Sequence, residues 1–276
     1  MIWQTSRFSI DLGSPRVMGI VNVTPDSFSD GGRHGSLSAA LRHCEQLINE
    51  GAHILDIGGE STRPGSPPLP LDEELARVVP LVRDAVSLGV PISVDTYKPE
   101  VMQAVLDLGA DIVNDIWALR QPGAAAAVMA HPRCGVCLMH MHGEPLTMQS
   151  APMDGDVALQ VLSFLELSAL SIQALGVEKS RIVLDPGIGF GKTVAQNFSL
   201  LANQSTLLTA SYPLLVGWSR KSSLGTVTGL DVGHRMVPSV AAVVLAVERG
   251  ASVVRVHDVR ETVAALAVWS AAQADD

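Results

Sequence analysis

The stretch Gly51-Ala52-His53-Ile54-Leu55-Asp56-Ile57-Gly58-Gly59 contains one complete unit of the pattern that decides the fold. A glycine follows a helical stretch, a short turn leads into an apolar strand, and the strand ends at polar and glycine residues. The strand is short and apolar on both faces, as expected of parallel strands that are covered on both sides. The unit recurs along the chain, so the pattern predicts alternating strands and helices.

Glycines mark the ends of most of the helical stretches. Gly89, Gly109, Gly176 and Gly250 each stand just past a helical stretch, where a left-handed cap favours glycine. Strict alternation without a change in composition predicts one domain that spans residues 1–276. The predicted strands are residues 17–23, 54–57, 92–94, 112–113, 136–139, 182–184, 214–216 and 253–256, and the predicted helices are residues 38–50, 71–87, 99–108, 123–130, 156–175, 194–208, 235–249 and 259–272.

Eight strand–helix units predict an α/β fold of the closed (β/α)₈ type, the TIM barrel, which typically needs about 250 residues. The chain has 276 residues, and a doubly wound open sheet is the alternative fold. Residues 2–12 precede the first unit, and we expect a short hairpin under the barrel there. In such a barrel the loops after the strands build the active site, so the two longest, residues 24–35 and 58–70, are predicted binding loops.

Composition excludes several classes of protein. The net charge is −9 and the 19 Lys and Arg are scattered, whereas a general nucleic-acid binder needs a basic face. We therefore expect small-molecule partners and no nucleic acid. No apolar run reaches the ~18 residues of a membrane span, and the N-terminus does not resemble a signal peptide. We accordingly expect no membrane partner and a cytoplasmic location.

Two patterns resemble redox or metal motifs. Cys134 and Cys137 have redox spacing, but their segment runs into an apolar strand, so we interpret them and Cys44 as structural cysteines. His140 and His142 have the spacing of a metal-binding pair. The other strand ends supply no evident matching ligand set, so metal binding there is the less favoured interpretation.

Polar side chains end most of the predicted strands. Asp and Asn are also common turn formers, an alternative that suits Asp115. The others follow apolar runs, where a buried carboxylate is costly without a partner. Asp95, Asn114 and Asp185 would present acceptors to a flat heterocycle rich in N–H donors, such as a 2-amino-pyrimidinone, and a metal site is the alternative use. The strand-end residues are Asn22, Asp56, Asp95, Asn114, Asp185, Arg255 and His257.

Basic residues fall in the same predicted loops. Their clustering in an acidic protein predicts an anion site, for phosphate or diphosphate. Ser222 is predicted to open a helix, whose N-terminal N–H groups favour a carboxylate. Residues 184–193 form a glycine-rich turn that matches neither the P-loop nor the dinucleotide motif, and we expect its backbone to approach a ligand. The basic residues concerned are Arg63, Arg220, Lys221, Arg255 and His257.

Eight motifs occur in a fixed order along nearly the whole chain. One of them is Asp185-Pro186-Gly187-Ile188-Gly189-Phe190-Gly191-Lys192. Together they resemble the dihydropteroate synthases, pterin-binding TIM-barrel enzymes of the folate pathway that sulfonamides target. Any one motif is modest evidence, whereas the ordered set is highly specific. The motifs lie at residues 18–32, 56–65, 93–96, 114–116, 139–141, 185–192, 219–222 and 255–258.

The resemblance implies a transferase. It would join (7,8-dihydropterin-6-yl)methyl diphosphate to 4-aminobenzoate, giving 7,8-dihydropteroate and diphosphate by a dissociative, SN1-like route. The resemblance also implies a Mg²⁺ cofactor bound at Asn22 and a homodimer. It assigns catalysis to Arg63, Asp95, Asp185, Lys221 and His257, the pterin to Asp95, Asn114, Ile116, Met139, Asp185, Gly217, Lys221 and Arg255, the diphosphate to Asn22, Thr62, Arg63, Arg255 and His257, and the aminobenzoate to Pro64, Phe190, Lys221 and Ser222.

Two other functions stay open. A methyltetrahydrofolate-dependent methyltransferase would share the Asp and Asn pocket but need no diphosphate site, and Thr62, Arg63 and His257 argue against it. A non-catalytic pterin-binding paralogue would be expected to lose loop residues such as Arg63, which is present. Asp56 belongs to the strand-end group by position and receives no role beyond supporting its neighbours.

Overall fold

The computed structural model describes residues 1–23, 32–61, 65–144, 146–148 and 150–273, those of 32–36 by their backbone. Within these ranges eight parallel strands close into a barrel in sequence order, which confirms the predicted TIM barrel and makes the open-sheet alternative wrong. A short antiparallel hairpin precedes the barrel, also as predicted. The hairpin strands are β1 (Ile2–Gln4) and β2 (Ser9–Asp11), and the barrel strands are β3 (Arg16–Asn22), β4 (Ile54–Gly58), β5 (Ile92–Asp95), β6 (Ile112–Asp115), β7 (Gly135–Met139), β8 (Ile182–Asp185), β9 (Leu214–Val216) and β10 (Ala251–Val256).

Helices cover the outside of the barrel, and local signals begin several of them. The Asp156 side chain accepts from two backbone N–H groups of the first turn of one helix. Thr193 and Gln196 form a reciprocal capping box at the start of the next. The helices are α1 (Gly32–Asn49), α2 (Leu71–Ala85), α3 (Pro99–Asp107), α4 (Ala124–Met129), α5 (Val157–Ala174), α6 (Val194–Ala202), α7 (Gln204–Leu207), α8 (Ser222–Thr228), α9 (Met236–Glu248) and α10 (Val259–Gln273).

Several of the predicted helices have different bounds in the structure. The single helix predicted at residues 194–208 divides into α6 and α7, because Asn203 leaves the helical conformation and its side-chain amide donates back to Ser199 O at 2.9 Å. The helix predicted from residue 123 begins one residue later, because Gly123 adopts a φ of 93°. The helix predicted from residue 38 already begins at Gly32.

The hairpin closes the barrel at the N-terminal ends of the strands. Trp3 of β1 is fully buried against a cluster that includes Met18 and Val183, and its indole N–H donates to Arg181 O at 2.9 Å. A neighbouring ion pair joins Arg7 to the buried Asp111, whose carboxylate also accepts from Ile92 N. The hairpin therefore removes the lower layer of the barrel from solvent, and among the described residues it is the opposite end that is open to a ligand.

The barrel interior changes from apolar to polar along the strand direction. Its lower layer consists of apolar side chains from seven of the eight strands. One pleat further on, the inward positions carry Asp56, Asp95, Asn114, Asp185 and Arg255. The lower-layer residues are Met18, Ile54, Ile112, Cys137, Val183, Leu215 and Val253.

One outer helix and the cysteines can be compared with the predictions of no membrane partner and of structural cysteines. Among the described helices, α5 is long and apolar enough, by length and composition alone, to cross a membrane. It packs on the barrel through Val161 and Ile172. All three cysteines are free and buried, and burial raises the pKa of the Cys134 thiol to about 12, which agrees with a structural role.

Candidate active site

The sheet register brings the predicted acceptors together at the open end of the barrel. Asp95 is the ladder partner of Asn114, and Asp185 is the ladder partner of Met139 two strands further round. Asp95, Asn114 and Asp185 are all buried, between 5% and 7% exposed. A buried carboxylate is costly without a partner. Asp95 and Asp185 must therefore each pair with another group of the protein or with a bound ligand.

Arg255 lies between two of the buried carboxylates. Its Nε donates to Asp56 Oδ2 at 2.5 Å and its Nη2 to Asp95 Oδ2 at 2.8 Å. Burial works against the guanidinium charge, but the two carboxylates outweigh it and raise the pKa of Arg255 above its usual range. Asp95 Oδ1 is buried and accepts no hydrogen bond from the described residues. That oxygen is the acceptor on Asp95 with which a ligand donor can pair.

Burial sets the protonation of the pocket carboxylates. It raises the pKa of Asp95 to about 7, with the Arg255 charge opposing and the Asp56 charge reinforcing the shift. It raises the pKa of Asp185 to about 6, against the hydrogen bond from Gly187 N and the charge of Lys221. Strong shifts of this kind are typical of functional sites, where ligand donors stabilise the charged form on binding.

The glycine-rich turn after β8 is held by Lys192, the last residue of the motif at residues 185–192, to which the sequence assigned no role. Lys192 is 2% exposed, and its Nζ lies 2.8 Å from His140 Nδ1, 2.9 Å from Gly187 O and 3.0 Å from Phe190 O. Burial lowers the pKa of Lys192 to about 7. Burial, then the Lys192 charge, lowers the pKa of His140 to about 2, so His140 is a neutral acceptor. No local sequence signal marks this lysine as buried.

An apolar wall borders the acceptors. Ile116, Met139 and Phe190, all predicted ligand contacts, belong to one buried cluster. Lys221 places its Nζ 4.5 Å from the centre of the Phe190 ring. Ser222 begins α8, as predicted.

Asn197 joins α8 to the glycine-rich turn. Its Oδ1 accepts from Gly189 N at 2.8 Å, and its Nδ2 donates to Ser223 Oγ at 3.0 Å.

The structure describes some of the residues of the predicted anion site. Asn22 is half-buried at the end of β3, beside Gly58. His257 Nδ1 lies 2.9 Å from Ser219 Oγ, which fixes the ring. A Cβ on Gly217 would meet nothing within 4 Å, so the wall at that position is open. Thr62, Arg63 and Pro64 lie outside the described residues, as do residues 24–31 of the first predicted binding loop.

Arg220, one of the basic residues of the predicted anion site, is paired with a carboxylate of the protein. Its guanidinium donates to both oxygens of Asp258, at 3.1 and 2.5 Å, and its backbone N–H donates to Ser239 Oγ at 2.8 Å. Its φ is 59°, a conformation that these contacts stabilise. Arg220 therefore connects the loops after β9 and β10, and its charge is matched by Asp258.

A second buried network anchors the start of the loop that carries Arg63. Lys98 Nζ donates to the carboxylates of both Glu60 and Glu74. Thr96 Oγ1 donates to Glu74 at 2.6 Å, and the Tyr97 hydroxyl donates to Glu60 at 2.9 Å. Sequence reasoning missed this network because its members come from separate loops and from α2. A cavity of about 250 Å³ beside it is lined by Glu60, Tyr97, Ile116, Trp117 and Glu144, among others.

The chain is similar to known proteins over nearly its whole length. Residues 18–257 match the family described as "Pterin binding enzyme". The dihydropteroate synthase of Neisseria meningitidis serogroup C is 48% identical over 274 residues, covering 98% of this chain and 97% of that protein.

Solved structures agree with this result. The crystal structure of Burkholderia cenocepacia dihydropteroate synthase complexed with 7,8-dihydropteroate has a TM-score of 0.91 and 51% identity, over 99% of this chain and 97% of that one. The Xanthomonas albilineans dihydropteroate synthase with 4-aminobenzoic acid has a TM-score of 0.91 and 50% identity, over 96% of both chains. Together with the buried acceptors at the mouth of a closed barrel, these matches show that the chain belongs to the pterin binding enzyme family, among the dihydropteroate synthases.

Proposed function

We propose that this chain joins (7,8-dihydropterin-6-yl)methyl diphosphate to 4-aminobenzoate, forming 7,8-dihydropteroate and releasing diphosphate. One observation carries the proposal: Asp95, Asn114 and Asp185 meet at the bottom of the open barrel end, with the Lys221–Phe190 pair beside them. Relatives that align over nearly the whole chain bind 7,8-dihydropteroate and 4-aminobenzoic acid. Neither the methyltransferase nor the non-catalytic alternative has comparable support.

The pterin binds at the acceptor residues Asp95, Asn114 and Asp185. Its 2-amino-pyrimidinone edge presents N–H donors, and Asp95 Oδ1 and Asp185 accept them as paired, charge-assisted hydrogen bonds. Ile116 and Met139 pack against the ring, and the open wall at Gly217 leaves room for it. Arg255 lies beside the ring, already held by its carboxylate partners.

The aminobenzoate occupies the side formed by the glycine-rich turn and α8. Phe190 and Pro64 contact its ring, and Lys221 and the start of α8 at Ser222 accommodate its carboxylate. The Lys192 and Asn197 contacts fix this wall relative to the pterin acceptors.

The diphosphate lies toward Asn22, Thr62, Arg63, Arg255 and His257. Asn22 would hold Mg²⁺ there, because its neutral amide oxygen is the kind of hard ligand that this ion prefers. When bound, Mg²⁺ supplies charge neutralisation of the leaving group.

The reaction follows a dissociative route. The C–O bond to diphosphate breaks and its electron pair leaves with the diphosphate, whose charge Arg63 and His257 neutralise. Asp95 and Asp185 stabilise the resulting pterin cation electrostatically. The neutral arylamine then forms the C–N bond with its lone pair and releases a proton, so the site needs no strong general base.

Product formation tests the activity. Purified protein with Mg²⁺ and both substrates should yield 7,8-dihydropteroate, whereas pterin binding without product would support the non-catalytic alternative. The Arg63→Ala variant should lose turnover far more than affinity for a pterin without diphosphate. Equal losses would contradict the role assigned to Arg63.

Positional isotope exchange tests the route. Bridging oxygen label in the diphosphate substrate should scramble without aminobenzoate if the C–O bond breaks first. Strictly amine-dependent cleavage would exclude the dissociative order.

A homodimer and a cytoplasmic location complete the proposal. Val237 and Leu245 of α9 and Val268 of α10 expose apolar side chains that a second copy can cover. Sedimentation equilibrium should give twice the chain mass, and the monomer mass at micromolar concentration would exclude the dimer. The three free, buried cysteines suit a reducing compartment.

A further inference from the structure

Asp56 is the strand-end residue to which the sequence assigns no ligand. It is fully buried, and its ladder partner is Ser93, whereas Asp95 is level with Gly58. Asp56 belongs to the same inward layer as the pterin acceptors, but its side chain is covered more completely than theirs. Its Oδ1 accepts no hydrogen bond from the described residues, whereas its Oδ2 accepts from two residues of the pocket.

The first such contact fixes the amide of Asn114. Asn114 Nδ2 donates to Asp56 Oδ2 at 3.2 Å. A carboxylate accepts hydrogen bonds and donates none, so the amide nitrogen must face Asp56 and the amide oxygen must face the other way. A flipped amide would set oxygen against oxygen, so Asp56 makes Asn114 an acceptor for N–H groups of the ring.

The second contact restrains Arg255. The guanidinium divides its donors between Asp56 and Asp95, and Asp95 Oδ1 has no hydrogen bond with the described residues. Without Asp56, Asp95 would be the nearest carboxylate for both donors, and a bidentate pair would occupy both of its oxygens. Asp56 thus preserves an acceptor on Asp95 for the ligand.

We infer that Asp56 is a positioning residue for ligand discrimination, which orients Asn114 and restrains Arg255 so that the pocket favours rings with an N–H donor edge. The inference rests on the proposed pterin function. It requires no contact between Asp56 and the ligand.

The test compares two ligands on one variant. Calorimetry gives the dissociation constants of 6-hydroxymethyl-7,8-dihydropterin and of its analogue without the 2-amino group, for the natural protein and for Asp56→Asn. The variant has the same size, but its amide oxygen is uncharged and holds Arg255 and Asn114 less tightly than the carboxylate oxygen that accepts from both. Binding of the full pterin should weaken roughly tenfold to a hundredfold, as expected when a hydrogen bond to a charged group is lost, and the preference over the analogue should shrink.

Asp111→Asn is the matched control. Asp111 is also a fully buried carboxylate paired with an arginine, Arg7, but it lies at the opposite end of the barrel. This variant should lose stability and keep the ligand preference. If Asp56→Asn does not fold, the smaller Asp56→Ser replaces it.

The possible results are distinct. Unchanged affinity in Asp56→Asn, or weaker affinity with the natural ligand preference retained, would overturn the positioning role. If the natural protein binds neither ring, the proposed function itself fails. If it binds the pterin and only the variant loses discrimination, both proposals stand.

Discussion

Lys192 Nζ lies 2.8 Å from His140 Nδ1, in a contact that ties the glycine-rich loop after β8 to the end of β7. The same ammonium donates to Gly187 O and Phe190 O. One buried lysine thus holds both ends of the loop that presents Phe190 to the aminobenzoate side.

Replacing Lys192 with Met should destabilise the protein by about 3 kcal/mol, because a buried imidazole and two carbonyls lose their donor. The surviving enzyme should show a higher KM for aminobenzoate and nearly unchanged affinity for a pterin without diphosphate, because Phe190 is displaced while Asp95 is not. Urea denaturation and steady-state kinetics measure the two effects. Lys179→Met, which removes an exposed lysine, is the control. Equal effects on both substrates would exclude a local role for Lys192.

Pterin affinity should rise with pH through about 6 to 7, the pKa values of Asp185 and Asp95. The ring's N–H donors pair with the ionised carboxylates, and protonation removes an acceptor. Calorimetry across this range with 6-hydroxymethyl-7,8-dihydropterin measures the change. A dissociation constant that is independent of pH would show that these carboxylates do not meet the ring.

Stability should depend on pH in the opposite sense. The pKa of Asp95 is raised on folding, so the native state binds that proton more tightly than the unfolded chain. The contribution of Asp95 to the free energy of unfolding is therefore fully present below its pKa in the unfolded chain, about 3.9. It is lost as the pH rises through its pKa in the native state, about 7. In Asp95→Asn this component of the unfolding free energy should disappear, as denaturant titrations at several pH values would reveal. An identical pH profile in the variant would contradict the assignment.

Arg220→Ala and Asp258→Ala should raise the KM of the diphosphate substrate by similar factors, roughly threefold to tenfold, and the double variant should be no worse. The reason is that the Arg220–Asp258 pair holds the loop that carries Ser219, the partner of His257. Steady-state kinetics on the three variants measure the coupling. A far larger effect of Arg220→Ala alone would restore the predicted direct contact between Arg220 and the anion.

Trp3→Ala should cost about 3–5 kcal/mol of stability, because it leaves a cavity under the lower barrel layer. The kcat and KM of the folded fraction should stay the same, since Trp3 lies at the end of the barrel opposite the site. Ile2→Ala, an exposed neighbour on the same strand, is the control. Altered kinetics in Trp3→Ala at full folding would show that the two ends are coupled.

The sequence by itself determined the barrel, the hairpin and the candidate site residues. Strand and helix periods, glycine caps and polar strand ends are local signals, and in a closed parallel barrel every strand end reaches the same rim. The order of the motifs along the chain is specific enough to indicate the family without the tertiary structure.

Tertiary structure alone decided the pairing of the charged groups. The paired residues come from different strands and loops and are separated by 38 to 199 residues along the chain. The pairs are Asp56 with Arg255, Lys192 with His140 and Arg220 with Asp258. Burial and distance set which charges meet and how far their pKa values move, and neither is written in the order of residues along the chain. That is why Asp56 received no specific role from the sequence and the pairing of Arg220 with Asp258 was not predicted.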